Sequence, residues 1–326
     1  MRFHLLGLAD YPCKSTSDYG FEPTSFHSLC YDMALMIKRA GHELVFYGPE
    51  SSSPPCDENV VVSPTPTACK AYQPDNPNWK EFQKNGRVEL AKRYKPEDIT
   101  LMSMGWLQSF GQELSKRSCE FAVGYQGHFA RRCVFPSYAW LHASGRRPSS
   151  LDTVIPHFLN KDDWTFNDKP SDYILFIGRL GVSKGEFLLG EIAARTGAKI
   201  IAAGVGSPQF LTSSVEYVGQ ASHEERLALI SNAKAVIMPT QYIEPFGMVA
   251  IEALACGTPV IGSDWGAFTE ILTPDVGYRC RSMNDWCEAV KHVGDMDRNA
   301  CRQRFLDNYS LEAVWPQYEA YFKSID

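Results

Sequence analysis

The chain of 326 residues is long enough for two domains, and its 44% hydrophobic and 21% charged content lets each bury a sizeable core. A net charge of -6 argues against a protein devoted to nucleic acid. No apolar run approaches the roughly 20 residues of a membrane-spanning helix. The ten cysteines are scattered and none forms a C-x-x-C pair, so the sequence shows neither a zinc site nor a redox motif. They read as small buried hydrophobes of a reducing, cytoplasmic protein.

Met1-Arg-Phe-His-Leu-Leu-Gly-Leu8 is too short and too soon interrupted for a signal peptide, and predicts a first buried strand, Phe3–Leu8. Leu29, Met33, Met36 and Ile37 recur at helical spacing in Phe26–Ala40, which Gly41 stops. Further strands are expected at Glu43–Tyr47, Ile99–Ser103 and Phe121–Tyr125. Ser51–Pro77, rich in Ser and Pro, reads as irregular. Trp79, Phe82, Val88, Leu90 and Tyr94 mark a partly helical segment; Asp152–Pro156 reads as a short strand, and the polar His157–Ser171 as a linker.

The second half is more regular. Tyr173–Ile177, Lys199–Ala203, Glu216–Val218, Ala235–Met238 and Val260–Ile261 have strand length and composition. Helices fit between them at Gly185–Thr196, Ser222–Asn232 (with Ser222-His-Glu-Glu225 as a capping box) and Gly247–Cys256. Such alternation builds βαβ units and a parallel sheet with both faces covered. The last helix carries Leu311, Val314, Trp315, Tyr318, Phe322 and Ile325 on one side, and must pack on something already folded.

Ligands bind beyond the carboxyl ends of such strands. Gly178-Arg-Leu-Gly-Val-Ser-Lys-Gly185, Gly204-Val-Gly206, Gly219 and Glu244 all fall there. Pro245 keeps Glu244 out of the helical region. The helix after it is apolar on nearly every side and therefore buried, yet it holds Glu252. Two acids thus flank a helix N-terminus whose free N–H groups suit a phosphate or a row of hydroxyls. Cations for phosphate, acids for hydroxyls and glycines for close approach suit a diphosphate attached to a polyol. Singly, each has a plainer reading: Glu252 as a structural acid satisfied by amides, Arg179 and Lys184 as solvated loop charges. The Gly178 loop lacks the G-x-G-x-x-G spacing of a dinucleotide fingerprint and the Gly-Lys-Ser/Thr ending of a P-loop. Asp295-Met-Asp297 looks like a metal-binding acid pair but lies away from the strand ends, so Asp297 is expected to cap a helix.

As an ordered set these residues resemble the retaining nucleotide-sugar glycosyltransferases of the GT-B fold, the large sucrose synthase-like family 4. The resemblance rests on Gly178-Arg179…Lys184-Gly185, Gly204-Val-Gly206, Glu244-Pro-Phe-Gly…Glu252 with seven residues between the acids, and the following Ala-Cys-Gly-Thr-Pro-Val-Ile. It covers about residues 154–262, with weaker similarity at Gly41-His-Glu43, Val154-Ile-Pro156 and the final helix. It implies an α/β GT-B fold: two Rossmann-like domains with parallel sheets facing an interdomain cleft. The expected boundaries are 1–156 for an acceptor-side domain, 157–171 for a linker, 172–309 for the donor-binding domain, and 310–326 for a helix returning to the first.

By the same resemblance, Arg179 and Lys184 bind the donor diphosphate and stabilise charge as it leaves. Glu252 accepts ribose hydroxyls, and Glu244 holds a donor-sugar hydroxyl. Backbone groups of Phe246, Gly247, Met248 and Val249 meet sugar and phosphate; Gly178 and Gly204 line the donor; the base lies near Tyr217, Val218 and Gly219. No metal or other cofactor is implied, because the two cations take that task.

The first half departs from the family. The usual Gly-Gly loop is replaced by Asp18-Tyr-Gly-Phe-Glu22, and the family's histidine near the reacting sugar is displaced to His128, with Tyr125 as an alternative occupant. Lys116, Arg117, Arg131, Arg132, Arg146 and Arg147 make the region locally basic. A solvated surface is the default, with an anionic acceptor or peripheral contact with lipid headgroups as the alternative. The expected activity is transfer of a hexose from a UDP- or GDP-sugar to a sugar, lipid-linked or small-molecule acceptor. The competing readings are a nucleotide-sugar epimerase on the same fold, a non-catalytic nucleotide-sugar binder and a dinucleotide-dependent oxidoreductase.

Overall fold

A computed structural model describes residues 1–15, 25–66, 76–126, 129–146, 149–209 and 211–325. The chain forms two compact units: Met1–Pro136 with Ser144–His157 and Val314–Asp326, and Ser137–Ala143 with Phe158–Ala313.

In the first unit the elements run β1 (Arg2–Leu6), α1 (Ser25–Arg39), β2 (Glu43–Pro49), β3 (Glu58–Ser63), α2 (Pro77–Arg93), β4 (Ile99–Met102), α3 (Phe110–Leu114) and β5 (Ser118–Glu120). The strands form a parallel sheet in the order β3-β2-β1-β4-β5. β1 is covered on both faces, so Phe3, Leu5 and Leu6 are buried alongside His4. The His4 ring is satisfied by the Tyr47 hydroxyl at 2.8 Å and Asp98 at 3.0 Å. Leu29, Met33, Met36 and Ile37 of α1 are all buried, as their spacing predicts.

Two expectations fail here. Ser51–Pro77 is not wholly irregular, because β3 lies inside it as an edge strand. Val60 and Val62 are buried while Val61 is 53% exposed, a strand alternation hidden among Ser and Pro. The strand expected at Phe121–Tyr125 ends before it, at Glu120; Ala122 has a φ of 58°, which turns the chain out of the ladder. The unit continues with the two-stranded β6 (Val134–Phe135) and β7 (Thr153–Val154).

His157, which closes this part of the unit, is fully enclosed, and burial pushes its imidazole pKa down to about 3 from 6.5. The unfolded chain binds the proton near 6.5 and the folded chain only near 3. Stability therefore falls as pH drops through that interval, by about 1.4 kcal/mol per pH unit, and is unaffected by this group at higher pH. Urea midpoints measured between roughly pH 5 and 7.5 should fall less steeply for His157→Gln, which cannot titrate. Equal slopes would rule the histidine out.

The second unit begins with α4 (Tyr138–Ala143) and resumes at Phe158. Within the segment read as a linker, Phe158, Leu159 and Trp164 are buried, and the Leu159 N–H donates to the Tyr309 carbonyl at 2.9 Å. The main elements follow as β8 (Ile174–Ile177), α5 (Leu189–Thr196), β9 (Ile200–Ala203), β10 (Val215–Tyr217), α6 (His223–Asn232), β11 (Ala235–Met238), α7 (Met248–Ala255), β12 (Val260–Ser263), α8 (Phe268–Ile271), β13 (Gly277–Cys280), α9 (Met283–His292) and α10 (Arg298–Asn308). The strands are parallel in the order β10-β9-β8-β11-β12-β13. The helix predicted from Gly185 starts only at Leu189, after two tight 3-10 turns at Val182–Lys184 and Glu186–Leu188.

Helix α7 is buried from Ala250 to Ala255, where α10 packs on it. Its neighbours are fastened by arginines on α10. Arg298 donates to the carbonyls of Ala233 at 2.9 Å and Ser231 at 2.8 Å, at the end of α6, and to the Thr258 hydroxyl at 2.7 Å. Arg302 donates to the last carbonyl of α7, Ala255. Both supply charged donors to helix ends whose last carbonyls lack an intrahelical partner. Asp297 caps α10 by accepting from the Asn299 N–H at 2.8 Å, as its position between helices predicts. A last helix, α11 (Leu311–Ser324), enters the first unit from Val314 onward. There Phe322 meets Phe3 edge-on at 5.2 Å, Tyr318 and Ile325 are buried, and Arg117 donates to the Ile325 carbonyl at 2.7 Å.

Candidate functional site

The sheet of the second unit reverses its winding between β8 and β11. At such a reversal, loops leaving adjacent strand ends part to opposite faces and open a crevice. Residues Gly178 to Gly185 leave β8, and Pro239 to Gly247 leave β11. The loops interlock through their backbones: the Gln241 N–H donates to the Ser183 carbonyl at 2.8 Å. Gly185 has a φ of +74°, and a Cβ there would sit 1.9 Å from the Pro239 carbonyl oxygen. Only glycine lets the loops close up. Gly204 is confined in the same way, since its Cβ would fall 1.7 Å from the Gly178 carbonyl oxygen, and its N–H donates to the Gly219 carbonyl at 2.7 Å. These glycines therefore answer first to crowding within the chain itself, which binds the ends of β8, β9 and β10 together.

That frame brings Lys184 onto Glu244. The ammonium donates to Glu244 Oε2 at 2.9 Å and to the Tyr242 hydroxyl at 2.6 Å, and that hydroxyl donates to the same Oε2 at 2.7 Å. The Lys184 side chain is 22% exposed and that of Glu244 11%, so the pair is partly desolvated and its attraction is less screened than at an open surface. Burial, and then the neighbouring Glu244 charge, hold the Tyr242 phenol well above its ordinary pKa, so it is a donor at any ordinary pH. Arg179 is exposed and close enough to Tyr242 to oppose that rise. Trp265 fastens the backbone from below, its indole N–H donating to the Tyr242 carbonyl at 3.1 Å.

Glu252 is held differently. It faces Arg226 of α6 in a direct ion pair, with side-chain exposures of 4% and 14%. The two acids of the sequence pattern thus have different cationic partners. Between them, Gly247 opens α7 with a φ of 92° and no side-chain cap, leaving the first-turn amides of Met248 and Val249 without one. Phe246 is buried against Tyr309 at 5.9 Å, while Met248 and Val249 are half-buried. Val218 and Tyr217 are exposed beside Gly204, whose carbonyl accepts from the Tyr217 hydroxyl at 2.8 Å. Val218 also lines a groove of about 430 Å³ with Tyr173, Gln220, Ala221 and Leu229.

Of the candidates in the first half, His128, Arg147 and the 18–22 loop lie outside the described residues. Tyr125 donates to Glu120 and accepts from the Gly105 N–H at 2.5 Å. Arg117, Arg132 and Arg146 donate to the chain's own carbonyls, so much of the local basicity is structural. Among the described residues, no group of three His, Cys, Asp or Glu side chains is placed to hold a metal ion, and no helix is long and apolar enough to cross a membrane.

Sequence reasoning overlooked Tyr242, Arg226 and Glu120. Tyr242 stands two residues before Glu244 and could have been flagged by that spacing. For Arg226 and Glu120 residue type alone carries no signal, because each acquires its role from partners that only the folded loops and helices bring to it.

Residues 160–303 match the family described as glycosyl transferases group 1. This group 1 segment contains every residue discussed above in the second unit from Tyr173 to Arg302. Glycogen synthase of Mycobacterium tuberculosis is 31% identical over 193 residues, covering 50% of this chain and 46% of that protein. The chain spans about half the length of the curated relatives it matches. Among solved structures, sucrose-phosphate synthase from Thermosynechococcus elongatus superposes with a TM-score of 0.74 at 19% identity, over 99% of this chain and 98% of that one. Anabaena Alr3699/HepE, solved in complex with UDP and glucose, gives 0.69 at 14% identity, over 99% and 100%. The fold is GT-B, as the sequence resemblance led us to expect.

Proposed function

We propose that the chain is a retaining, metal-independent glycosyltransferase that moves a hexose from a UDP- or GDP-sugar to an acceptor hydroxyl. The observation that carries this reading is the 2.9 Å contact of Lys184 with Glu244 at the point where the sheet reverses. A nucleotide sugar presents a diphosphate and a polyol side by side. A fixed ammonium next to a fixed carboxylate matches that order of groups.

In this reading Lys184 and Arg179 hold the diphosphate and stabilise the charge that grows on it as the glycosidic bond breaks. The first-turn amides of α7 support the same phosphate. Glu244 accepts from a sugar hydroxyl. Glu252, oriented by Arg226, accepts from the ribose, and the base lies beside Tyr217, Val218 and Gly219. The acceptor oxygen attacks from the face the leaving group vacates and gives its proton to the departing phosphate, so configuration is kept. Two cations at the diphosphate perform the charge stabilisation that a metal ion performs elsewhere. The group 1 match and the UDP bound in the Anabaena neighbour support the donor class.

The test is to incubate the full chain with UDP- and GDP-hexoses, with and without sugar acceptors and a chelator. The expected result is nucleoside diphosphate release and a product with the donor's anomeric configuration, unaffected by chelation. Donor converted to an isomer without acceptor would make the protein an epimerase instead, and binding without any turnover would make it a carrier.

A further inference from the structure

We infer that Tyr242 is a positioning residue that keeps one oxygen of Glu244 open for the donor sugar, an inference that rests on the glycosyltransferase reading above. Oε2 of Glu244 accepts from both the Tyr242 hydroxyl at 2.7 Å and the Lys184 ammonium at 2.9 Å, whereas Oε1 accepts no hydrogen bond among the described residues. An ammonium with three donors and no competing acceptor would settle across both oxygens of a carboxylate. Here the phenol prevents it. Its oxygen accepts one ammonium N–H at 2.6 Å, while its proton occupies Oε2, so the cation is held to one side. One carboxylate oxygen and one ammonium N–H are left for ligand.

The device is built rigidly. The Trp265 indole N–H holds the Tyr242 carbonyl at 3.1 Å, and the Gln241 N–H fixes the preceding residue to Ser183, one position from Lys184. The Ala267 N–H holds the Glu244 carbonyl at 3.0 Å. Tyr242 and Glu244 are therefore both tied to the segment after β12, and a side chain lacking the hydroxyl leaves the backbone as it stands.

Loss of the hydroxyl should act on the sugar and spare the nucleotide. In Tyr242→Phe the ammonium spreads over Glu244, and the sugar loses its acceptor. Lys184 remains in the pocket for the diphosphate. With the productive sugar nucleotide from a panel of UDP-glucose, UDP-N-acetylglucosamine and GDP-mannose, kcat/KM should fall by about 10- to 100-fold. The Kd of the matching nucleoside diphosphate, measured by calorimetry, should change by less than about threefold. Trp265→Phe, which removes the tethering N–H, should show the same split at smaller size. Parallel losses in both quantities, or no loss in kcat/KM, would overturn the inference while leaving the reaction intact. A wild-type chain that turns over none of the panel defeats the reaction itself, and the inference with it.

Discussion

Lys184→Ala should lower the rate of hexose transfer by roughly 10²–10³-fold, the scale of removing one fixed charge-stabilising donor from a partly desolvated site. The residue's ammonium is already placed by Tyr242 and Glu244 before any substrate arrives, so little reorganisation is needed when the diphosphate leaves. The fold should survive the change. Lys184 closes a short turn at Val182–Lys184, and its partner Glu244 retains the Tyr242 hydroxyl, so thermal melts should shift by only a few degrees. Lys184→Arg should not restore the rate, since a planar guanidinium cannot sit between a phenol and one carboxylate oxygen as an ammonium does. Initial rates with the productive donor decide the matter, and a rate within about threefold of wild type would remove Lys184 from the mechanism.

Glu120→Ala should destabilise the first unit by roughly 3–5 kcal/mol, close to the whole margin of many domains. Glu120 is fully buried at the end of β5. One of its oxygens accepts from the Gly105 N–H at 2.9 Å and from the Tyr125 hydroxyl, the other from the N–H groups of Phe129 at 2.9 Å and Ala130 at 3.0 Å. Removing the carboxylate leaves the buried Ala130 N–H and the Tyr125 hydroxyl without their acceptor, which costs more than the bonds themselves were worth. Burial and the Glu120 charge also hold the Tyr125 phenol well above its ordinary pKa. A urea midpoint lowered at constant slope would confirm the effect; an unchanged midpoint would show that the loop rearranges freely.

Much of the second unit could be read directly. Apolar runs such as Ile174–Ile177 and Ala235–Met238 need strand structure to be buried on both faces, and Ser222 with Glu225 announces the start of α6. The first unit was less legible where its elements are short or turned by one residue. β3 hid among prolines, and Ala122 ended a strand that its apolar neighbours appeared to continue. At the site, Lys184 and Glu244 were picked out by their loops, but Tyr242 was passed over. Its spacing two residues before Glu244 is a weak signal, and its distances to two charged partners give it meaning.

By itself the amino-acid order determined the alternation of strands and helices, the loops at the strand ends and the chemical types gathered there. All of these depend on side-chain period and local backbone preference, which act over a few residues. The tertiary structure alone decided the pairings: Lys184 with Glu244, 60 residues away, Arg226 with Glu252, and Glu120 with amides across a loop. Those depend on which strands become neighbours and how closely two loops can approach. That in turn follows from the crossovers and from carbonyls that leave no room for a Cβ at Gly185 or Gly204. Neither is written in any single stretch of the chain.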